Sequence, residues 1–175
     1  MIFKECSLNG LFFISLDPIE DNRGFFARSF CKKELLNHGI DFDVKQCNYS
    51  YNKTKGTLRG MHYQNPPYLE DKIVTCIKGK VYDVIVDFRV GSPTYLKWEG
   101  FELSGDTLNA LYIPKGFAHG FVTLEDDTIL SYQMSEYYVG GQERGLRYDD
   151  PKIGIKWPIM RDYIMSEKDQ KFELL

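Results

Sequence analysis

The sequence predicts an all-β fold, and three observations carry that reading. Aromatic residues make up 15% of the 175 residues, with 12 Tyr and 12 Phe, side chains suited to a pleated, half-buried surface. Leu and Ala never gather into long helical stretches. Apolar residues recur at period two, or in short β-rich runs, between turn formers spaced as in a sandwich or barrel. A chain of this length fits one domain, residues 1–175, and can bury a core without disulfide or metal staples.

Residues 10–16, 71–77, 80–89, 110–113 and 128–134 read as strands. Their separators are turn formers: Asp21-Asn22-Arg23-Gly24, Asn65-Pro66-Pro67, Lys78-Gly79, Gly91-Ser92-Pro93, Ser104-Gly105-Asp106, Pro114-Lys115-Gly116 and Gly140-Gly141. One helix is expected over 32–37, ended by Gly39, with His38 near the negative end of its dipole as a structural or solvated residue. Within 80–89, alternation puts Tyr82, Val84, Val86 and Phe88 on one face and Val81, Asp83, Ile85 and Asp87 on the other. Unpaired carboxylates are costly to bury, so the second face either meets solvent or lines a polar cavity supplied with cations and donors.

A formal net charge of −3 without any Lys/Arg block excludes nonspecific nucleic-acid and anionic-membrane binding, which need a basic face. An anionic ligand must therefore be held by a few focused cations. The N-terminus has no basic segment leading into an apolar run, and the apolar stretch Leu11 to Ile14 is far too short to span a bilayer. Cys6, Cys31, Cys47 and Cys76 lie far apart with no C-x-x-C pair, as expected of core or surface thiols in a reducing, cytoplasmic setting. No glycine-rich loop of dinucleotide or triphosphate type is present, so chemistry must come from side chains within the β architecture.

Two segments stand out: Gly56-Thr57-Leu58-Arg59-Gly60-Met61-His62-Tyr63-Gln64 and Pro114-Lys115-Gly116-Phe117-Ala118-His119-Gly120-Phe121. They resemble the two motifs of cupins, small double-stranded β-helix (jelly-roll) barrels with a few short helices. Metal-binding cupins offer His-x-His and a Glu in the first motif. Here Gln64 replaces the second His, leaving His62 and His119, a poor donor set for a transition metal. No metal and no organic cofactor are expected.

The likeness narrows with Asp21-x-Arg23-Gly24-x-Phe26, Gln46-x-Asn48-x-Ser50, Gly79-x-Val81-x-Asp83-Val84, Ser92-Pro93-Thr94, Trp157-Pro158 and Ser166-x-Lys168-Asp169. In order, over nearly the whole chain, these motifs resemble the dTDP-4-dehydrorhamnose 3,5-epimerase family. The resemblance implies a homodimer with exchanged N-terminal strands and a nucleotide-sugar substrate. It implies His62 as base, paired with Asp169, Tyr132 as opposite-face acid, and Lys72 at the developing oxyanion on the sugar O4. It further implies substrate contacts from Arg23, Phe26, Arg28, Gln46, Asn48, Arg59, Asp83, His119, Tyr138, Glu143 and Lys168, with residues near Arg23 to Arg28 supplied by the partner subunit. Arg59, Arg23 and Lys168 would meet the pyrophosphate, and Tyr138 would stack on the base. By strict alternation Arg59 and His62 face opposite ways, so both enter one site only if Gly60 permits a bulge or twist.

The chain departs from the family's Arg-Gly-x-Phe-x-Glu at Arg28. A carboxylate there accepts from thymine N3–H, whereas arginine only donates and suits the N3 and O2 acceptors of cytosine. A cytidine-linked 4-keto sugar is therefore a rival substrate, and the longer spacing between Asn48 and Arg59 also bears on that wall of the pocket. Inversion at C3, at C5 or at both stays open. Rivals of other classes are a non-catalytic sugar-nucleotide module, a metal-dependent isomerase or oxygenase, and a metal-free 3,4-ketoisomerase.

Overall fold

The structure is a computed structural model that describes residues 1–158, 160 and 162–175. Its strands are β1 (Ile2–Glu5), β2 (Phe12–Ser15), β3 (Ile19–Asp21), β4 (Gly24–Phe26), β5 (Gln46–Asn52), β6 (Leu58–Gln64), β7 (Lys72–Lys78), β8 (Lys80–Asp87), β9 (Trp98–Ser104), β10 (Ala110–Ile113), β11 (Phe117–Thr123), β12 (Thr128–Met134) and β13 (Glu143–Gly145). Two short helices complete them, α1 (Lys32–Asn37) and α2 (Glu167–Gln170). A six-stranded antiparallel sheet in the order β1-β2-β10-β7-β12-β5 faces a five-stranded one in the order β13-β6-β11-β8-β9. A separate hairpin, β3-β4, turns at Asn22-Arg23.

The expected helix forms over its expected residues, and the expected strands 110–113 and 128–134 match β10 and β12. The first expected strand is shorter, because Gly10 adopts φ +84° and Leu11 N–H bonds back to Leu8, making a turn instead of strand. The strand expected over 80–89 ends at Asp87, whose carboxylate takes the Arg89 backbone N–H at 3.0 Å and bends the chain. His38 stacks on Phe3 at 4.3 Å between ring centres, which makes it a structural residue.

Between the sheets lies the main core: Val74, Cys76, Leu111, Ile113 and Leu130 from one, Val81, Ile85, Leu103, Phe117 and Phe121 from the other. Both outer faces are covered as well. Leu35, Ile40 and Phe42 lie over Ile14, Ile73 and Tyr112, while Leu146, Ile153 and the half-buried Trp157 lie over Met61, Val84 and Val86. The carboxylate-bearing face of β8 is therefore the inner one, and Asp83 and Asp87 are both fully buried. That removes the solvated alternative for this face. Asp87 sits in a knot of donors from Arg89, Ser92 and Thr94, whereas Asp83 lies behind His119, which lines a cavity.

Strand parity builds that cavity. The inward face that buries Val74 and Cys76 also carries Lys72, and the one that buries Leu130 carries Tyr132 and Met134. His119 shares its face with Phe117 and Phe121, as Asp83 does with Val81 and Ile85.

Candidate active site

A cavity of about 400 Å³ lies between the two sheets, within the range of small-molecule sites. Its walls include Arg59, His62, Tyr63, Gln64, Glu70, Lys72, His119, Phe121, Tyr132 and Met134, with Gln46, Asn48, Tyr49, Ser50, Tyr138 and Glu143 also contributing.

Arg59 and His62 both reach this space, which strict alternation forbids. His62 pairs with His119 and Arg59 with Phe121, so β6 holds one extra residue between the two pairs. The bulge centres on Gly60, at φ +125°, where a side chain would run into the backbone of Gly120. Met61 can then pack on the outer face while residues on either side of the bulge point inward. Arg59 is steadied by donating from Nε to Asn52 Oδ1 at 2.7 Å.

His62 Nε2 lies 2.8 Å from Asp169 Oδ1. Ser166 caps α2 by accepting the Asp169 backbone N–H at 3.1 Å, and the other Asp169 oxygen accepts the Gly60 N–H at 3.2 Å. Burial pushes the Asp169 carboxyl up, but the hydrogen bond and charge of His62 and the donors of Gly60 and Ser166 outweigh it, leaving it below the usual range. An ionised carboxylate only accepts, so Nε2 is the donor in this contact and Nδ1 is the ring nitrogen left free of Asp169. Glu143 Oε1 stands 3.9 Å from that Nδ1.

His119 forms a second pair, with Nε2 at 3.0 and 2.9 Å from the two oxygens of Asp83. Here burial wins against His119, and the Asp83 carboxyl is raised. The two His–Asp pairs thus differ electrostatically: the Asp169 carboxyl is shifted down and the Asp83 carboxyl up. Tyr132 meets the His119 ring edge-on at 6.0 Å between ring centres. Burial, reinforced by Asp83, pushes its phenol well above the usual tyrosine value, so it stays a donor.

Lys72, which alone could have been a solvent-facing strand lysine, is buried, 2.9 Å from Glu70 Oε1. Gln46 accepts the Tyr138 N–H at 3.0 Å and so anchors the segment bearing that ring, which is exposed at the cavity mouth. Lys168 does not line the cavity itself. It reaches it through an ion pair with Glu143, which raises the affinity of Lys168 for its proton.

Arg23, Phe26 and Arg28 are not brought to this cavity within the chain. Arg23 pairs with Asp21 on the β3-β4 hairpin, Phe26 is 75% exposed, and Arg28 Nη1 lies 2.5 Å from Glu34 Oε1. Sequence reasoning missed Glu70 and the apolar wall residues Phe121 and Met134. Glu70 lies two residues before Lys72, the same-face spacing of an extended chain, but it falls outside any apolar run. Among the described residues, no three His, Cys, Asp or Glu side chains gather in a metal-binding group.

The pattern of the dTDP-4-dehydrorhamnose 3,5-epimerase family matches residues 5–175. A Sinorhizobium fredii relative of that name is 43% identical over 97% of this chain and 87% of its own. A dTDP-4-dehydrorhamnose 3,5-epimerase from Bacillus anthracis, solved with TDP and PPi bound, superposes with a TM-score of 0.95 at 39% identity, covering 99% of this chain and 100% of its own. A Legionella pneumophila dTDP-6-deoxy-D-glucose-3,5-epimerase, in complex with dTDP-4-keto-L-rhamnose, superposes with a TM-score of 0.94 at 37% identity, covering 99% and 92%.

Proposed function

This chain belongs to the dTDP-4-dehydrorhamnose 3,5-epimerase family and is an epimerase of a nucleoside-diphosphate 4-keto-6-deoxyhexose; from that premise we propose how its cavity divides the work. Its fold is the cupin jelly roll. The neutral His62 removes a proton from a ring carbon beside the C4 ketone, while Asp169 stabilises the imidazolium that forms. Negative charge moves to O4, where the buried Lys72 ammonium meets it. Tyr132 returns a proton from the other face, inverting the carbon. The observation that carries this reading is that His62 and Tyr132 sit on different sheets and line one cavity.

Arg59 and Lys168 are suited to the pyrophosphate, with Tyr138 as the stacking surface for the base and Gln46, Asn48, His119 and Glu143 as polar contacts, whereas Asp83, expected as a substrate contact, is fully buried behind the cavity wall and acts through His119. Arg23, Phe26 and Arg28 serve the site of a partner subunit. The exposed apolar side chains Ile19, Phe25 and Phe26 on the β3-β4 hairpin support a homodimer that exchanges N-terminal strands. Residues 1–175 are read as one catalytic domain, since both sheets share one core. Four free, separated cysteines support a cytoplasmic enzyme. Among the described residues, no helix is long and apolar enough to cross a membrane.

Arg28 favours a second reading of the base alone, cytidine instead of thymidine, through its donor-only chemistry. The test of both points is turnover of thymidine- and cytidine-linked 4-keto-6-deoxyglucose in heavy water, with deuterium located at C3 and C5. Labelled, inverted carbon supports the epimerase and names its centres, and a shifted ketone points to a ketoisomerase instead. Cytidine-linked affinity equal to or below that of the thymidine analogue removes the second reading. His62→Ala should lower turnover at least about 10²-fold, and activity within a few-fold of the parent would reject His62 as base.

A further inference from the structure

The cation assigned to the enolate oxygen does not enter the cavity alone. Lys72 Nζ is 2.9 Å from Glu70 Oε1, and the side chains of both are about nine-tenths buried. The other oxygen of Glu70 accepts from Gln64 Nε2. Gln64 is itself locked in place: Nε2 also donates to the Tyr68 carbonyl at 3.1 Å and the Tyr137 carbonyl at 3.3 Å, and Oε1 accepts the Val139 N–H at 3.1 Å. Glu70 thus has one oxygen fixed to the five-stranded sheet through β6 and the other on a lysine of the six-stranded sheet.

A lone ammonium buried beside a cavity tends to lose its proton, whereas a carboxylate in contact favours the charged form. The remaining charged and titratable groups on this side of Lys72 are Asp83 from β8, engaged by His119 from β11, and Tyr132 from β12, with His62 and Arg59 of β6 across the cavity. Asp71, the neighbour of Lys72, is turned away. It accepts from the Tyr112 hydroxyl at 3.2 Å, the Lys115 N–H at 3.0 Å and the Ser135 hydroxyl at 3.0 Å. Only Glu70, among the described acidic side chains, forms an ion pair with Lys72.

We propose that Glu70 is a positioning residue that keeps the Lys72 ammonium charged and aimed at the sugar oxygen, with Gln64 fixing the carboxylate in turn. The proposal rests on the assignment of Lys72 to the enolate oxygen. Because that oxygen gains negative charge only as the proton is removed and not in the bound ketone, loss of the carboxylate lowers kcat and leaves KM nearly unchanged.

The experiment is a double-mutant cycle of Glu70→Gln and Lys72→Met, read as kcat, KM and the pH profile of kcat on the nucleotide-linked 4-keto sugar. Glu70→Gln preserves shape and the hydrogen bond from Gln64. It is expected to move the alkaline fall of kcat down by at least about one pH unit, the smaller end of what an opposite charge in contact contributes. In the Lys72→Met background the same substitution changes nothing, and Glu70→Asp restores most of the alkaline activity. An unchanged pH profile in folded Glu70→Gln, or an effect of equal size in the Lys72→Met background, overturns the role given to Glu70. If Lys72→Met itself keeps kcat within a few-fold, it is the assignment of Lys72 that fails. Melting curves and near-ultraviolet circular dichroism establish folding, and a misfolded Glu70→Gln leaves the Glu70→Ala profile to decide: a downward shift of its alkaline limb supports the role and an unmoved limb refutes it.

Discussion

Gly60 and Gly120 stand back to back across β6 and β11, so close that a Cβ added to Gly60 would lie 2.6 Å from the Gly120 Cα. This contact makes the bulge that turns both Arg59 and His62 into the cavity. Gly60→Ala should destabilise the fold by at least about 2 kcal/mol, since it adds a backbone clash to a left-handed φ. Urea unfolding measures this, and a loss below about 0.5 kcal/mol would mean that the backbone there is free to yield.

Asp169→Asn removes the anion behind His62 while nearly preserving shape. Turnover should fall on the order of 10²-fold, with substrate affinity little altered because Asp169 touches the histidine and not the cavity. Steady-state kinetics beside direct binding of the nucleoside diphosphate separates the two effects. A rise in KM with kcat intact would assign Asp169 to binding.

Tyr132→Phe should uncouple exchange from inversion. His62 still takes a proton and, after exchange with solvent, can return deuterium to the same face. NMR of the sugar in heavy water should then show label entering with configuration retained, and inversion slowed by about 10²-fold or more. Inversion at the parent rate would exclude Tyr132 as the acid. The burial that raises its phenol also predicts that activity does not fail through Tyr132 ionisation at neutral or mildly alkaline pH.

Asp87 predicts how stability changes with acid. Burial alone would raise its carboxyl, but hydrogen bonds from Arg89, Ser92 and Thr94 hold it well below the usual carboxylate range. A carboxyl depressed in the folded state stabilises the fold above its unfolded value, about 3.9, and loses that contribution as pH falls further. Asp87→Ala, which leaves Arg89 without its partner, should cost about 3 kcal/mol near neutral pH. The gap between variant and parent should shrink below about pH 4; a gap constant down to pH 2 would refute the assignment.

Much of this site was legible before any coordinates, because its residues sit in motifs that resemble those of a known family. His62, His119 and Asp169 came from such patterns, and parity within β8 placed Asp83 and Asp87 on one face. Parity did not say which face was inward, since Val and Ile occur on both, and both proved buried. β5 escaped notice because Gln46-Cys47-Asn48-Tyr49-Ser50-Tyr51-Asn52 is an edge strand with little apolar alternation, held by its ladder to β12.

The sequence by itself determined an all-β chain, the family resemblance with the acid and base that it implies, and the one glycine that lets Arg59 and His62 enter one site. Those features reside in residue types and short spacings, where backbone sterics and side-chain period act locally. Only the tertiary structure decided that the Asp169 carboxyl is shifted down while that of Asp83 is shifted up, that Lys72 enters beside Glu70, and that the β3-β4 hairpin lies away from the cavity of its own chain. Each of those depends on desolvation and on contacts between segments distant along the chain, which no local pattern encodes.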